Sequence, residues 1–155
     1  MTVNSAPIIV EQTFNTSVKT VWEAITNLAQ MRQWFFNNIE CFEPTVGFKT
    51  KFTVQSEDRV FTHLWTITEV EPLKKIVYNW KYEEYAGDSF IHFELFQLKN
   101  ETKIRVTSVV TESFPNNIPE FKPESCLNGW TYFIKQNLKS FLETKIIILC
   151  YILKT

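Results

Sequence analysis

Few side chains in this sequence can exchange a proton or hold a metal near neutral pH. His63 and His92 are the only histidines, and Cys41, Cys126 and Cys150 the only cysteines. They form no H-x-x-x-H, H-E-x-x-H or C-x-x-C spacing, so a zinc site would have to gather distant ligands, and no metal is expected. The odd, widely separated cysteines suit reduced thiols. His63 falls on the same strand face as Phe61 and Trp65, where it is either a general base beside an apolar cavity or a hydrogen-bonded core histidine. Glu112 lies in phase with Ser108 at a strand end. Near a cavity mouth its pKa would rise with burial; otherwise it is an ordinary surface carboxylate. His92 and Glu94 alternate with Ile91, Phe93 and Leu95 and should face water. Acid–base catalysis would need His63 together with Tyr78 or Glu112 at one point. No nucleophile elbow, phosphate loop or dinucleotide fingerprint occurs, so no catalytic residue and no cofactor is assigned.

The elements that must position these groups follow from periodicity. "IIVEQTF" alternates as a strand, and "NTSVKTVWEAITN" places Val18, Trp22 and Ile25 at helical spacing behind capping residues Asn15 to Ser17. "LAQMRQWFFNNI" gives a second short helix, after which the chain from Ile39 onward turns strand-like. From Gly47 to about Thr111, five strand patterns are joined by hairpin-length turns, which predicts an antiparallel meander. Thr50, Phe52 and Val54, then Ile76, Tyr78, Trp80 and Tyr82, then Ile91, Phe93 and Leu95, and Ile104, Val106, Ser108 and Val110 share the buried face. Lys49, Lys51, Asn79, Lys81, Lys103 and Arg105 occupy the wet one. Leu127, Trp130, Ile134, Leu138 and Phe141 then mark a long helix opened by Pro123, with the apolar side of the sheet as its only partner. Gly129 within it costs roughly 1 kcal/mol against alanine, which suggests a close approach of backbone to a neighbour or to a cavity mouth.

Length and composition set the outer bounds. A chain of 155 residues with 14 phenylalanines, 5 tryptophans and only 3 glycines is expected to form one ring-rich domain over 1–155, its core at about 8–145. The net charge of −1, with both signs interspersed, gives no footprint for nucleic acid. No secretory signal is legible, so the expected compartment is the cytoplasm. The tail 146–155, "IIILCYILKT", is too short for a membrane span of about 20 residues. It either extends the last helix, packs as a terminal strand, or exposes an apolar patch.

Four stretches in order resemble the SRPBCC superfamily, and within it the group named after the activator of the heat-shock-protein-ninety ATPase. "SVKTVWEAITN" with "QWF" is similar to that group's first helices, "TITEVEPLKKIVYNW" to its strand–turn–strand signature, "NETKIRVTS" to its penultimate strand and "NGWTYFIKQNLKSFLE" to its closing helix. The resemblance spans about 8 to 145. It implies an α+β helix-grip fold, like START domains and the birch-pollen allergen. In that fold a curved antiparallel sheet of about seven strands grips a long C-terminal helix, with two short helices after the first strand and a cavity inside. Trp65 stands where those relatives usually have glycine, and Ser108 where many have histidine.

A cavity of this kind suits a small hydrophobic or amphipathic molecule. Strand parity and the helix stripe nominate Trp34, Phe52, His63, Trp65, Tyr78, Trp80, Phe93, Ser108, Glu112, Trp130 and Phe133 as lining it. The expected function is therefore a non-catalytic ligand-binding or carrier module, monomeric or homodimeric. The alternatives are a cyclase- or dehydratase-like enzyme and a chaperone ATPase regulator. The resemblance implies that the founding proteins of the group use a further N-terminal region, for which a chain starting at its first strand is expected to leave no room.

Overall fold

The computed structural model describes residues 1–153; Lys154 and Thr155, the end of the apolar tail, lie outside the described residues. Strands β1 (Ile8–Phe14), β2 (Lys49–Ser56), β3 (Arg59–Glu71), β4 (Lys75–Tyr82), β5 (Asp88–Gln97) and β6 (Thr102–Glu112) form one sheet in the order β1-β6-β5-β4-β3-β2. Every neighbouring pair is antiparallel. Short turns join β2 through β6 in a meander, and β1 closes against β6, so β1 and β2 are the edges. Between them run α1 (Val18–Thr26) and α2 (Leu28–Trp34). Ser17 caps α1 by accepting from Thr20 N at 3.2 Å, and Asn27 both ends α1 and caps α2 by accepting from Gln30 N at 3.1 Å.

The sheet has six strands where about seven were expected. The segment after Ile39 does not pair as a strand, although Ile39 and Phe42 are buried. They anchor an irregular stretch in the core. Arg32 takes over part of the hydrogen bonding a ladder would provide, donating from Nε to Ile39 O at 2.7 Å and from Nη2 to Glu40 O at 3.1 Å.

The closing helix comprises α3 (Pro123–Trp130), a π-helical segment (Thr131–Leu138) and α4 (Lys139–Ile152). Its buried residues are Trp130, Ile134, Leu138 and Leu142, four apart throughout. In a regular α-helix a step of four drifts about 40° around the axis. The wider π turn absorbs that drift and keeps one line of side chains on the sheet. Leu127, placed on the stripe by α-helical spacing, is 44% exposed. Asn137 Nδ2 donates to Trp34 O at 3.1 Å, which ties the π segment to the end of α2.

Beyond Leu142, Lys145 Nζ donates to Gln30 Oε1 at 2.7 Å, and the helix then continues to Ile152. Ile147, Ile148, Leu149, Tyr151, Ile152 and Leu153 are all exposed. Among the described residues, no helix is long and apolar enough to cross a membrane.

The loop after β6 returns over one end of the sheet. Phe114, Phe121 and Phe61 form a second apolar cluster there, with Tyr82 and Tyr85 packed against it. Gly87 makes this possible: its φ is +117°, and a Cβ on it would lie 2.3 Å from Phe114 Cδ1. Gly87→Ala is therefore expected to lower stability by about 2 kcal/mol or more through overpacking and backbone strain. Urea unfolding checks this; an unchanged midpoint would mean that Phe114 does not pack against Gly87.

Candidate ligand cavity

Strands β3 to β6 lie side by side, and their inward residues meet in rows set by register. His63 pairs directly with Tyr82, Trp80 with Ser89, and Ile91 with Ser108. Residues so paired on one sheet face have neighbouring side chains. Across this floor the closing helix lays Cys126, Gly129, Trp130 and Phe133. Phe36 closes one side from the end of α2, and Met1, Phe114, Glu120 and Phe121 close the other. The partly open cavity between them has a volume of about 170 Å³. Ser125, at its rim, is exposed.

The loop wall is fastened by charge. Glu120 accepts from Arg59 Nε at 2.9 Å, from Arg59 Nη2 at 2.8 Å and from Ser56 Oγ at 3.0 Å. These bonds, Arg59 first, hold the Glu120 carboxyl below its ordinary range. The Met1 ammonium donates to Phe121 O at 2.6 Å, and Phe114 N donates to Met1 O at 3.0 Å.

His63 is 5% exposed and its ring stacks on Phe52 at 4.6 Å. Nδ1 lies 3.1 Å from Phe61 O. A carbonyl only accepts, so Nδ1 carries the proton and Nε2 the lone pair. Burial drives the His63 pKa down to about 4, against smaller opposing effects of the Phe61 carbonyl and Glu84. Tyr82 Oη accepts from Trp80 Nε1 at 3.0 Å, and burial raises its pKa. Ser89 Oγ donates to Trp80 O at 2.7 Å. Burial pushes the Cys126 thiol up, so it is protonated rather than a thiolate.

Of the nominated residues, His63, Trp80, Ser108, Trp130 and Phe133 meet at this cavity. Trp34, Phe52, Trp65, Tyr78 and Phe93 do not line it. They are buried in the packed ring layer beside it, with Trp65 4.8 Å from Trp80 and from Phe52, Tyr78 5.1 Å from Phe93, and Trp34 stacked on Phe35 at 4.8 Å. Strand parity put them on the right face, but parity does not say where along the strand the packed region ends. Glu112 is exposed, pairs with Asp88 at the bulged end of β5 and β6, and does not line the cavity. The joint placement of His63 with Tyr78 or Glu112 is therefore not formed.

Sequence reasoning missed Phe36, Tyr82, Ser89, Ile91 and the whole loop wall. Tyr82 and Ile91 were on the assigned inner face, so alternation carried their signal. The loop residues had none. Gly129 is at the cavity, and a Cβ on it would meet nothing within 4 Å. Its role is open space beside the cavity, and no neighbouring backbone approaches it closely. Among the described residues no three His, Cys, Asp or Glu side chains converge as a metal site, and all three cysteines are free.

A curved antiparallel sheet gripping a C-terminal helix over a cavity defines the helix-grip, START-like class of the SRPBCC superfamily. Within that class, the chain belongs to the family described as Activator of Hsp90 ATPase homolog 1-like protein, whose model matches residues 15–143. Solved structures share the fold. A Chromobacterium violaceum protein superposes with a TM-score of 0.74 at 18% identity, over 88% of this chain and 96% of that one. The Aha1 dimer from Colwellia psychrerythraea gives 0.69 at 21% identity, over 90% and 97%. DynU16, from the dynemicin biosynthetic locus, gives 0.71 at 22% identity over 91% of this chain, which spans only 48% of DynU16. No curated protein matches the sequence.

The His63 environment predicts a pH signature. The folded pKa of about 4 lies below the ordinary 6.5, so between these values the unfolded chain holds a proton that the folded one lacks. Stability from this group is complete above pH 6.5 and falls as pH drops towards 4, by up to about 3 kcal/mol. Urea midpoints from pH 4 to 7 should fall more steeply in the native sequence than in His63→Phe. Parallel profiles would show that the histidine is not buried neutral.

Proposed function

We propose that this chain is a non-catalytic binding or carrier module for a small, largely apolar molecule of about one ring. The observation that carries this reading is the cavity of about 170 Å³ walled by Phe36, Trp80, Ile91, Phe114, Phe121, Trp130 and Phe133. An apolar cavity of about 150 Å³ is enough for benzene, whereas drug-sized ligands need about 300 Å³ or more. The cyclase or dehydratase reading has less support, because a base held at about 4 is a weak proton acceptor at neutral pH and its nominated partners lie elsewhere. Work with a chaperone ATPase rests on the family description alone.

Gly129 provides the test. Gly129→Ala should stabilise the fold by up to about 1 kcal/mol, since the new methyl is unobstructed and alanine favours helix. Gly129→Leu should fill the cavity. Single-ring compounds such as toluene and p-cresol are expected to raise the melting temperature of the native chain and of Gly129→Ala, by mass action on the folded state, and not that of Gly129→Leu. An equal rise in Gly129→Leu would place binding elsewhere, and no rise in any of the three would refute the binding reading.

A further inference from the structure

Resting on the binding reading above, we propose that His63 and Tyr82 form a donor–acceptor pair that selects a phenol: a neutral single ring bearing one hydroxyl group. The two residues are directly opposed across β3 and β4, with ring centroids 4.9 Å apart and planes at 68°. Both line the same cavity. His63 uses Nδ1–H on the Phe61 carbonyl, and this is its hydrogen bond within the chain. That leaves Nε2 as a bare acceptor on a side chain more than nine-tenths buried. With Nδ1 engaged and the His63 ring on the cavity wall, Nε2 is the atom proposed to meet a ligand.

Tyr82 supplies the complementary half. Its oxygen is occupied by the Trp80 indole N–H at 3.0 Å, so the phenolic hydrogen is what it has left to give. One acceptor and one donor on adjacent rings match a hydroxyl, which both gives and takes a proton in hydrogen bonding. The apolar wall of Trp80, Trp130 and Phe133 then meets the ring of the ligand. Toluene would leave both groups unpaired. A carboxylate could accept from Tyr82 but would turn a lone pair towards His63 Nε2, which burial keeps unprotonated at neutral pH.

The test is calorimetric titration of the full chain at pH 7.5 with p-cresol, toluene and benzoate. A site built to hydrogen-bond a hydroxyl should prefer p-cresol to toluene by at least about 100-fold, and benzoate should bind no better than toluene. His63→Phe, which retains a ring to stack on Phe52, and Tyr82→Phe should each reduce that preference to about tenfold or less in protein shown to be folded. Independently of any variant, the ¹⁵N resonance of His63 Nε2 should shift towards the protonated range with p-cresol and stay in place with toluene. Equal binding of p-cresol and toluene would overturn the pair's role while leaving an apolar binding cavity. Tighter binding of benzoate than of p-cresol would also overturn it. Binding of none of the three would remove the reading on which it rests.

Discussion

The structure depends on how flat rings pack under a curved sheet. Trp65 is the centre of that packing, with Phe52, Tyr78 and Trp80 about 5 Å away and Phe35 at 5.6 Å. Rigid aromatic shapes fill space well only in a few relative orientations. Towards the loop after β6 the ring layer stops at Trp80 and His63, and the remaining space is the cavity. Trp65 thus sets the cavity's boundary without touching it. Its indole N–H finds no partner, a cost of about 1 to 3 kcal/mol that its buried ring area offsets.

The other end of the cavity is held differently. Phe61, Phe114 and Phe121 form a small cluster of their own, and the loop that carries two of them is fixed by the Arg59 and Ser56 bonds to Glu120. A charged clasp at partly exposed positions contributes modestly to global stability. Its consequence is geometric: it keeps the loop over the cavity, and Gly87 leaves room for Phe114 beneath it. The cavity lies at the junction of two apolar clusters, one built by sheet and helix and the other by a loop.

Charge and polarity within the cavity are subdued. His63 is neutral, Cys126 is a thiol and Glu120 is engaged by Arg59. The space therefore offers hydrogen bonds at its floor rather than a reactive constellation. The π-helical segment contributes as well. By holding Trp130, Ile134 and Leu138 in one line, it keeps the closing helix packed on the sheet beside the cavity, with Trp130 at the cavity itself.

Much of this was legible in the sequence. Period-two alternation fixed the inner faces of β2, β4, β5 and β6, and the spacing after Pro123 located the closing helix, because backbone geometry repeats locally and the side-chain pattern must follow it. The four similar stretches carried the family. What the sequence could not give was distance. Nothing in "HLWTIT" says that Trp65 is packed while His63, two residues away, is at a cavity. Nothing in "FPNNIPEFK" says that its phenylalanines return to Tyr82. The seventh strand was lost for the same reason, since Ile39 and Phe42 are buried without pairing. Composition and periodicity determined the fold, the ring-rich interior and which faces turn inward. The size of the cavity and the meeting of His63 with Tyr82 beneath Gly129 were decided by tertiary structure, because they depend on register and packing between segments far apart in the chain.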